Sequence, residues 1–229
     1  MVTTARVAHA GEGIYLAWNN CWGSSDARSD LASTCLANSG QQSLFCAFTL
    51  PQQMDSVIAV DVVVDVQVAS AAAPPWWQLA PGACRSGALS PGESLSGPST
   101  CMDFWRGEAT GPSQEYLVGV PHGGNQARIH IGFSVPSNRP RSLEADSLYL
   151  AARIDIRNDS TTSCMGCSLP ACLVLNSIGI GSPPDQVRPL TVPGPGGANW
   201  VRWQGGAGAS CSAVPARRPT WGQLKSLYR

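Results

Sequence analysis

Between residues 60 and 68, valine takes every second position. Val60, Val62, Val64, Val66 and Val68 lie on one side of an extended chain, and Asp61, Asp65 and Gln67 lie on the other. A period of two over nine residues fits a β-strand with one face on a core and fits no helix. The pattern recurs twice. Ala127, Ile129, Ile131, Phe133 and Val135 point inward and leave Arg128, His130 and Ser134 on the wet face. Leu148, Leu150, Ala152, Ile154 and Ile156 point inward and leave Tyr149, Arg153, Asp155 and Arg157 outside. Weaker strands are predicted over 13–18, 44–50, 116–120, 172–180 and 199–203. With 24 Gly and 18 Pro punctuating 229 residues, these segments predict an all-β fold, a two-sheet antiparallel β-sandwich, jelly-roll-like or of another sandwich topology. A Thr-x-x-Gln capping box at Thr220 to Gln223, ahead of Leu224, Leu227 and Tyr228, predicts a short C-terminal helix. Residues 70–75 and 86–100 read as loops.

Nine cysteines set the compartment. Their clustering (Cys21, Cys35; Cys84, Cys101; Cys164, Cys167, Cys172; Cys211) reads as a disulfide framework bracing long loops in a secreted or cell-surface protein. Cys84 and Cys101 are isolated on both sides and are the first expected pair, a closure worth roughly 3 kcal/mol on the chain-entropy argument. An odd count leaves one thiol over. Cys46, inside the apolar run Leu44-Phe45-Cys46-Ala47-Phe48, is the candidate free thiol. Ala8-His9-Ala10 reads as an A-x-A cleavage site, so residues 1–10 are expected to be a remnant of a signal peptide and 11–229 a single β-sandwich domain. No run of 18 apolar residues occurs, so no membrane span is expected. Lys+Arg and Asp+Glu are both 15; without a net basic field, nucleic acid is not an expected partner.

The tryptophans are the candidate ligand-binding residues. Trp76 and Trp77 follow Pro74-Pro75, Trp105 follows Asp103-Phe104, and Trp200 and Trp203 stand near the end. An exposed indole can stack on a sugar ring while polar neighbours take the hydroxyls; Trp76, Trp77 and Trp105 are the three singled out, against the alternative that they pack in the core. Asp103, Glu108 and Glu115 cluster in sequence near Trp105 and offer an alternative, acid/base catalysis on a glycoside, which depends on a separation that sequence does not give. There is no G-x-S-x-G and no H-E-x-x-H.

Cys164-Met165-Gly166-Cys167 could supply two thiolates to a metal, but no second C-x-x-C or paired histidine accompanies it, which favours disulfides; a redox role lacks a βαβ context. No cofactor is expected. Calcium is the one candidate ion, through oxygens of Asp155, Asn158 and Asp159, although no EF-hand spacing is present and turn capping explains the same residues. Of the histidines, His9 would be removed with the leader, His122 reads as a hairpin-loop residue, and His130 as a solvated strand position.

Residues 60–68 with the Pro74-Pro75-Trp76-Trp77 break, residues 127–135, and Leu143-Glu144-Ala145-Asp146 leading into 148–156 resemble the strands of cohesins and cohesin-like carbohydrate-binding modules over about half of the chain. Trp18-Asn19-Asn20-Cys21, Trp203-Gln204-Gly205-Gly206 and the ending Thr220-Trp221-Gly222-Gln223-Leu224-Lys225-Ser226-Leu227-Tyr228-Arg229 resemble a set of short secreted proteins of environmental bacteria that brings no known function. Together these readings favour a secreted non-catalytic binding module that recognises a carbohydrate or protein partner at the cell exterior. The alternatives are a secreted glycan-active hydrolase using the carboxylates near Trp105, and a self-associating surface or filament protein suggested by the odd cysteine and by apolar termini.

Overall fold

The computed structural model describes residues 11–95, 97–121, 123–183, 186–205 and 211. The expected signal-peptide remnant (1–10), His122 and the C-terminal helix expected from the capping box lie outside them. The strands are β1 (Gly13–Trp18), β2 (Asp30–Leu31), β3 (Gln41–Thr49), β4 (Met54–Val57), β5 (Ala59–Val68), β6 (Leu89–Gly92), β7 (Thr110–Val118), β8 (Gln126–Ser134), β9 (Arg141–Leu143), β10 (Tyr149–Arg157), β11 (Ala171–Ser182), β12 (Gln186–Leu190) and β13 (Trp200–Trp203), with one 3-10 turn at Pro75–Trp77. One sheet has the order β1-β3-β10-β6. The other runs β2-β13-β11-β5-β8-β7, with β12 also paired to β11, and β4 and β9 form a small separate ribbon. All of these pairings are antiparallel except β2 with β13.

The sheets meet over a common apolar layer. Ile14, Leu16, Leu44, Cys46 and Phe48 come from the smaller sheet; Val60, Val62, Val64, Val66, Ile129, Ile131, Leu173 and Ile178 come from the larger. The inward faces of β5 and β8 are those the alternation specifies. β10 departs from it. A register shift between Leu150 and Ala152 turns Tyr149 into the main core and sends Leu148 and Leu150 to the opposite side, with Tyr15, Phe45 and Ala47. Tyr149 is therefore not an outward residue. The bulge adds one residue, and every side chain before it changes face.

Four disulfides brace this frame: Cys21–Cys101, Cys35–Cys167, Cys84–Cys164 and Cys172–Cys211. The expected Cys84–Cys101 bridge does not form. Isolation in sequence is a poor guide here, because the bridges join segments 39 to 132 residues apart that the sheet order brings together. Cys46 is unpaired and fully buried on β3, where burial pushes its thiol pKa well up, so it is not placed to link two copies of the chain.

Candidate functional site

The tryptophans singled out as ligand platforms are core residues. Trp76, Trp77 and Trp105 expose no surface, so none offers a face to a sugar ring. Pro74 enters a 3-10 turn that folds the pair inward. There Trp76 stacks on Trp203 with ring centroids 4.8 Å apart, and Trp77 meets both rings edge-on. Trp18 lies against Trp203 at 6.1 Å. Three of the indole N–H groups have protein acceptors, Trp76 Nε1 in Thr161 Oγ1, Trp203 Nε1 in the Cys167 carbonyl and Trp105 Nε1 in the Ala151 carbonyl, whereas Trp77 Nε1 is buried with no partner among the described residues. Large aromatic surface is worth more buried than exposed unless a partner covers it, and the loop after β5 is long enough to carry the pair back beneath itself.

Two of the three proposed carboxylates have partners of their own. Asp103 Oδ1 accepts the backbone N–H groups of Trp105 and Arg106, capping a turn. Glu108 pairs with Arg139 at 3.2 Å and Arg141 at 2.6 Å. Glu115 is exposed on β7 opposite His130. These contacts give the three no common partner. The residues considered for calcium are also separately engaged. Asp155 takes Ser43 Oγ and Arg153, Asn158 Nδ2 donates to the Ser39 carbonyl, and Asp159 pairs with Arg157. Among the described residues no group of three or more His, Cys, Asp or Glu side chains is arranged to hold a metal ion.

One polar cluster escapes a reading that treats the second face of each strand as solvated. On the side of β5 and β8 turned away from the core, Arg128 makes a two-point bridge to Asp65 at 2.7 and 2.8 Å. Asn176 Nδ2, at the β11 bulge, donates to the same carboxylate at 2.5 Å, and His130 Nε2 lies 2.5 Å from Asp61 Oδ1. Asp61 and Asp65 are buried, contrary to their expected place on a wet face. A buried carboxylate needs such partners. Its signal was present in the sequence: the antiparallel β5–β8 register puts Asp65 directly opposite Arg128.

The most organised surface is a loop end. β1, β5 and β10 run out, and β3, β6 and β11 begin, at the same edge of the two sheets, as the pairs Trp18–Leu44, Arg157–Gln41 and Val68–Ala171 require. Three loops therefore converge there, 19–40, 69–88 and 158–170. Cys35–Cys167 ties the first to the third and Cys84–Cys164 ties the second to the third. Asn38 exchanges hydrogen bonds with Thr162, and Trp76 N donates to the Met165 carbonyl. Arg85, buried, donates from Nε to the Asp159 carbonyl at 3.0 Å, from Nη1 to the Trp76 carbonyl at 2.9 Å and from Nη2 to the Arg157 carbonyl, with its guanidinium 4.0 Å above the Trp76 ring. Leu36 and Met165 stand out from this locked frame, next to the bridged cysteines and 80% and 79% exposed.

No protein-family model and no curated protein matches the chain. Among solved structures it is similar to the cohesin module of a family 33 glycoside hydrolase from Clostridium perfringens ATCC13124, with 8% identity, 80% of this chain and 96% of that one covered, and a TM-score of 0.33. It is also similar to a protein from Corynebacterium diphtheriae described as membrane anchored, with 11% identity, 91% of this chain and 38% of that one covered, and a TM-score of 0.33. At these values neither likeness assigns a ligand. No helix among the described residues is long and apolar enough to cross a membrane.

Proposed function

We propose that the protein is a non-catalytic binding module of the cell exterior that recognises a partner through its disulfide-locked loop end. The observation that carries this reading is the pairing of rigidity with exposure. Two bridges and the Arg85 clamp immobilise three loops, yet Leu36 and Met165 remain almost fully exposed on them. Loops fixed before binding lose little conformational entropy when they bind, and rigid scaffolds carry recognition on such loops. Four disulfides suit an oxidising compartment. With Trp76, Trp77 and Trp105 buried, stacking on a carbohydrate loses its expected platform, and two exposed aliphatic side chains suit a protein partner with an apolar patch better.

The test is binding of the labelled protein to cell-envelope and secreted fractions of the producing bacterium, compared with the double variant Leu36→Asn, Met165→Gln. Removing two apolar anchors should weaken binding at least about thirtyfold, at about 1 to 2 kcal/mol each, with the melting temperature unchanged because neither side chain is packed. Equal binding by the double variant, or hydrolysis of a polysaccharide by the wild type, overturns the reading.

A further inference from the structure

The Cys164-Met165-Gly166-Cys167 segment neither closes on itself nor binds a metal. Each of its cysteines is joined to a different loop, Cys164 to Cys84 and Cys167 to Cys35. The two sulfur carriers are three residues apart on a chain that bends at Cys164 and Met165 and passes through Gly166 at φ +109°. Cysteines in a C-x-x-C spacing can close a local disulfide, and the bend at Cys164 and Met165 shortens the span between these two. Access is asymmetric. Cys164 and Cys167 are buried, whereas Cys84 is exposed and Cys35 is half-buried with its Sγ accepting from Gln204 Nε2, so an external thiol meets the Cys84 sulfur first.

We propose that this segment is a disulfide-exchange element through which one external dithiol releases both loops at once. A thiolate of the dithiol attacks Cys84 Sγ and expels the Cys164 thiolate. Cys164 then attacks Cys167 Sγ, forming the Cys164–Cys167 bond and expelling the Cys35 thiolate. The second thiol of the dithiol resolves the mixed disulfide at Cys84. Two electrons and two protons pass to the protein: the dithiol becomes a disulfide, two interloop bridges become one local bridge, and Cys35 and Cys84 end as thiols. Entry at Cys35 gives the same product in the opposite order. Exchange of this kind is ordinary thiolate displacement and depends on access and on the proximity of the next sulfur. Its consequence is mechanical. Loops 19–40 and 69–88 lose their covalent ties to loop 158–170, and Leu36 is no longer fixed relative to Met165. The Cys21–Cys101 bridge, buried at both cysteines, takes no part.

The experiment is reduction of the native protein with one molar equivalent of dithiothreitol, acid quenching, alkylation and peptide mapping. The predominant two-thiol species from this loop end should carry alkyl groups on Cys35 and Cys84 and retain a Cys164–Cys167 bridge. Two-thiol species alkylated at Cys84 and Cys164, or at Cys35 and Cys167, overturn the proposal. The variant Cys84→Ser provides a second test without reductant. Its Cys164 thiol should displace Cys35, giving a Cys164–Cys167 bridge and an alkylatable Cys35; retention of Cys35–Cys167 with Cys164 as the free thiol overturns it. The exchange does not rest on partner binding, which is measured on the fully oxidised protein, so either result stands without the other.

Discussion

Replacing Arg85 should be the most damaging single change at the loop end. The guanidinium is buried without a carboxylate in contact; its hydrogen bonds run instead to the backbone carbonyls of Asp159, Trp76 and Arg157, which belong to two of the three converging loops and to the end of β10. Burial draws its pKa down to about 10, with the nearby Asp159 charge opposing, so it remains protonated at neutral pH and donates through all three nitrogens. Arg85→Ala leaves three carbonyls without their donor, at about 1 to 3 kcal/mol for each that stays dry, and loses a cation–π contact of roughly 1 to 2 kcal/mol. Removing the cost of burying the charge offsets part of that sum. The net expectation is a loss of about 3 to 5 kcal/mol, or a fall in melting temperature of roughly 6 to 20 °C for a chain of this size. Guanidinium unfolding of the oxidised protein, followed by tryptophan fluorescence because Trp76 lies beneath the group, measures it. Arg106→Ala, at an exposed position, is the control and should stay within about 0.5 kcal/mol. Arg85→Lys should fall between, since an ammonium cannot reach three divergent carbonyls in the arginine geometry. A loss below about 1 kcal/mol for Arg85→Ala would refute the reasoning, because the carbonyls would then have other donors.

Two further expectations follow from backbone geometry and buried protons. Gly166 has φ +109°, and a Cβ there would sit 2.4 Å from Pro74 Cβ, so Gly166→Ala should destabilise by about 2 to 4 kcal/mol in the same unfolding assay; a neutral result would mean that the loop does not pass Pro74 as closely as it does here. Burial raises the pKa of both the Cys46 thiol and the Tyr116 phenol, whose hydroxyl donates to the Trp77 carbonyl. The folded chain keeps these protons while the unfolded chain releases them near 9.0 and 10.0. Their contribution is therefore whole below pH 9 and is lost as pH rises, by up to about 1.4 kcal/mol per pH unit for each group. Cys46→Ala should be less stable at pH 7 through the cavity it leaves, yet show a flatter decline above pH 9; equal slopes for the variant and the wild type would count against the assignment.

What could be read from the sequence divides along a physical line. On β5 and β8 the period of two locates the core face, because each strand keeps an unbroken pleat across its pairing. On β10 the same inference fails at Leu150, since a bulge is a backbone event with no residue signature of its own, and Tyr149 and Leu150 exchange faces. The Asp65–Arg128 pair was recoverable once the two strands were set antiparallel, because cross-strand complementarity is local to a register. Trp76 and Trp77 were not recoverable from local pattern: a loop with prolines looks exposed until Trp203, more than 120 residues later, supplies the ring that covers it. The disulfides follow the same rule. Cys84 has no reason to choose Cys164 over Cys101 until the sheets place the loop after β5 beside the loop after β10. Leu36 and Met165 were invisible for a related reason, since an isolated aliphatic residue in a loop carries no signal of its own. What distinguishes them is that they lie next to cysteines bridged between loops, a property of the sheet order and not of either segment. The loop end is thus a product of topology, and residue types alone point to it only through the C-x-x-C spacing, whose two sulfurs the topology draws apart into two bridges.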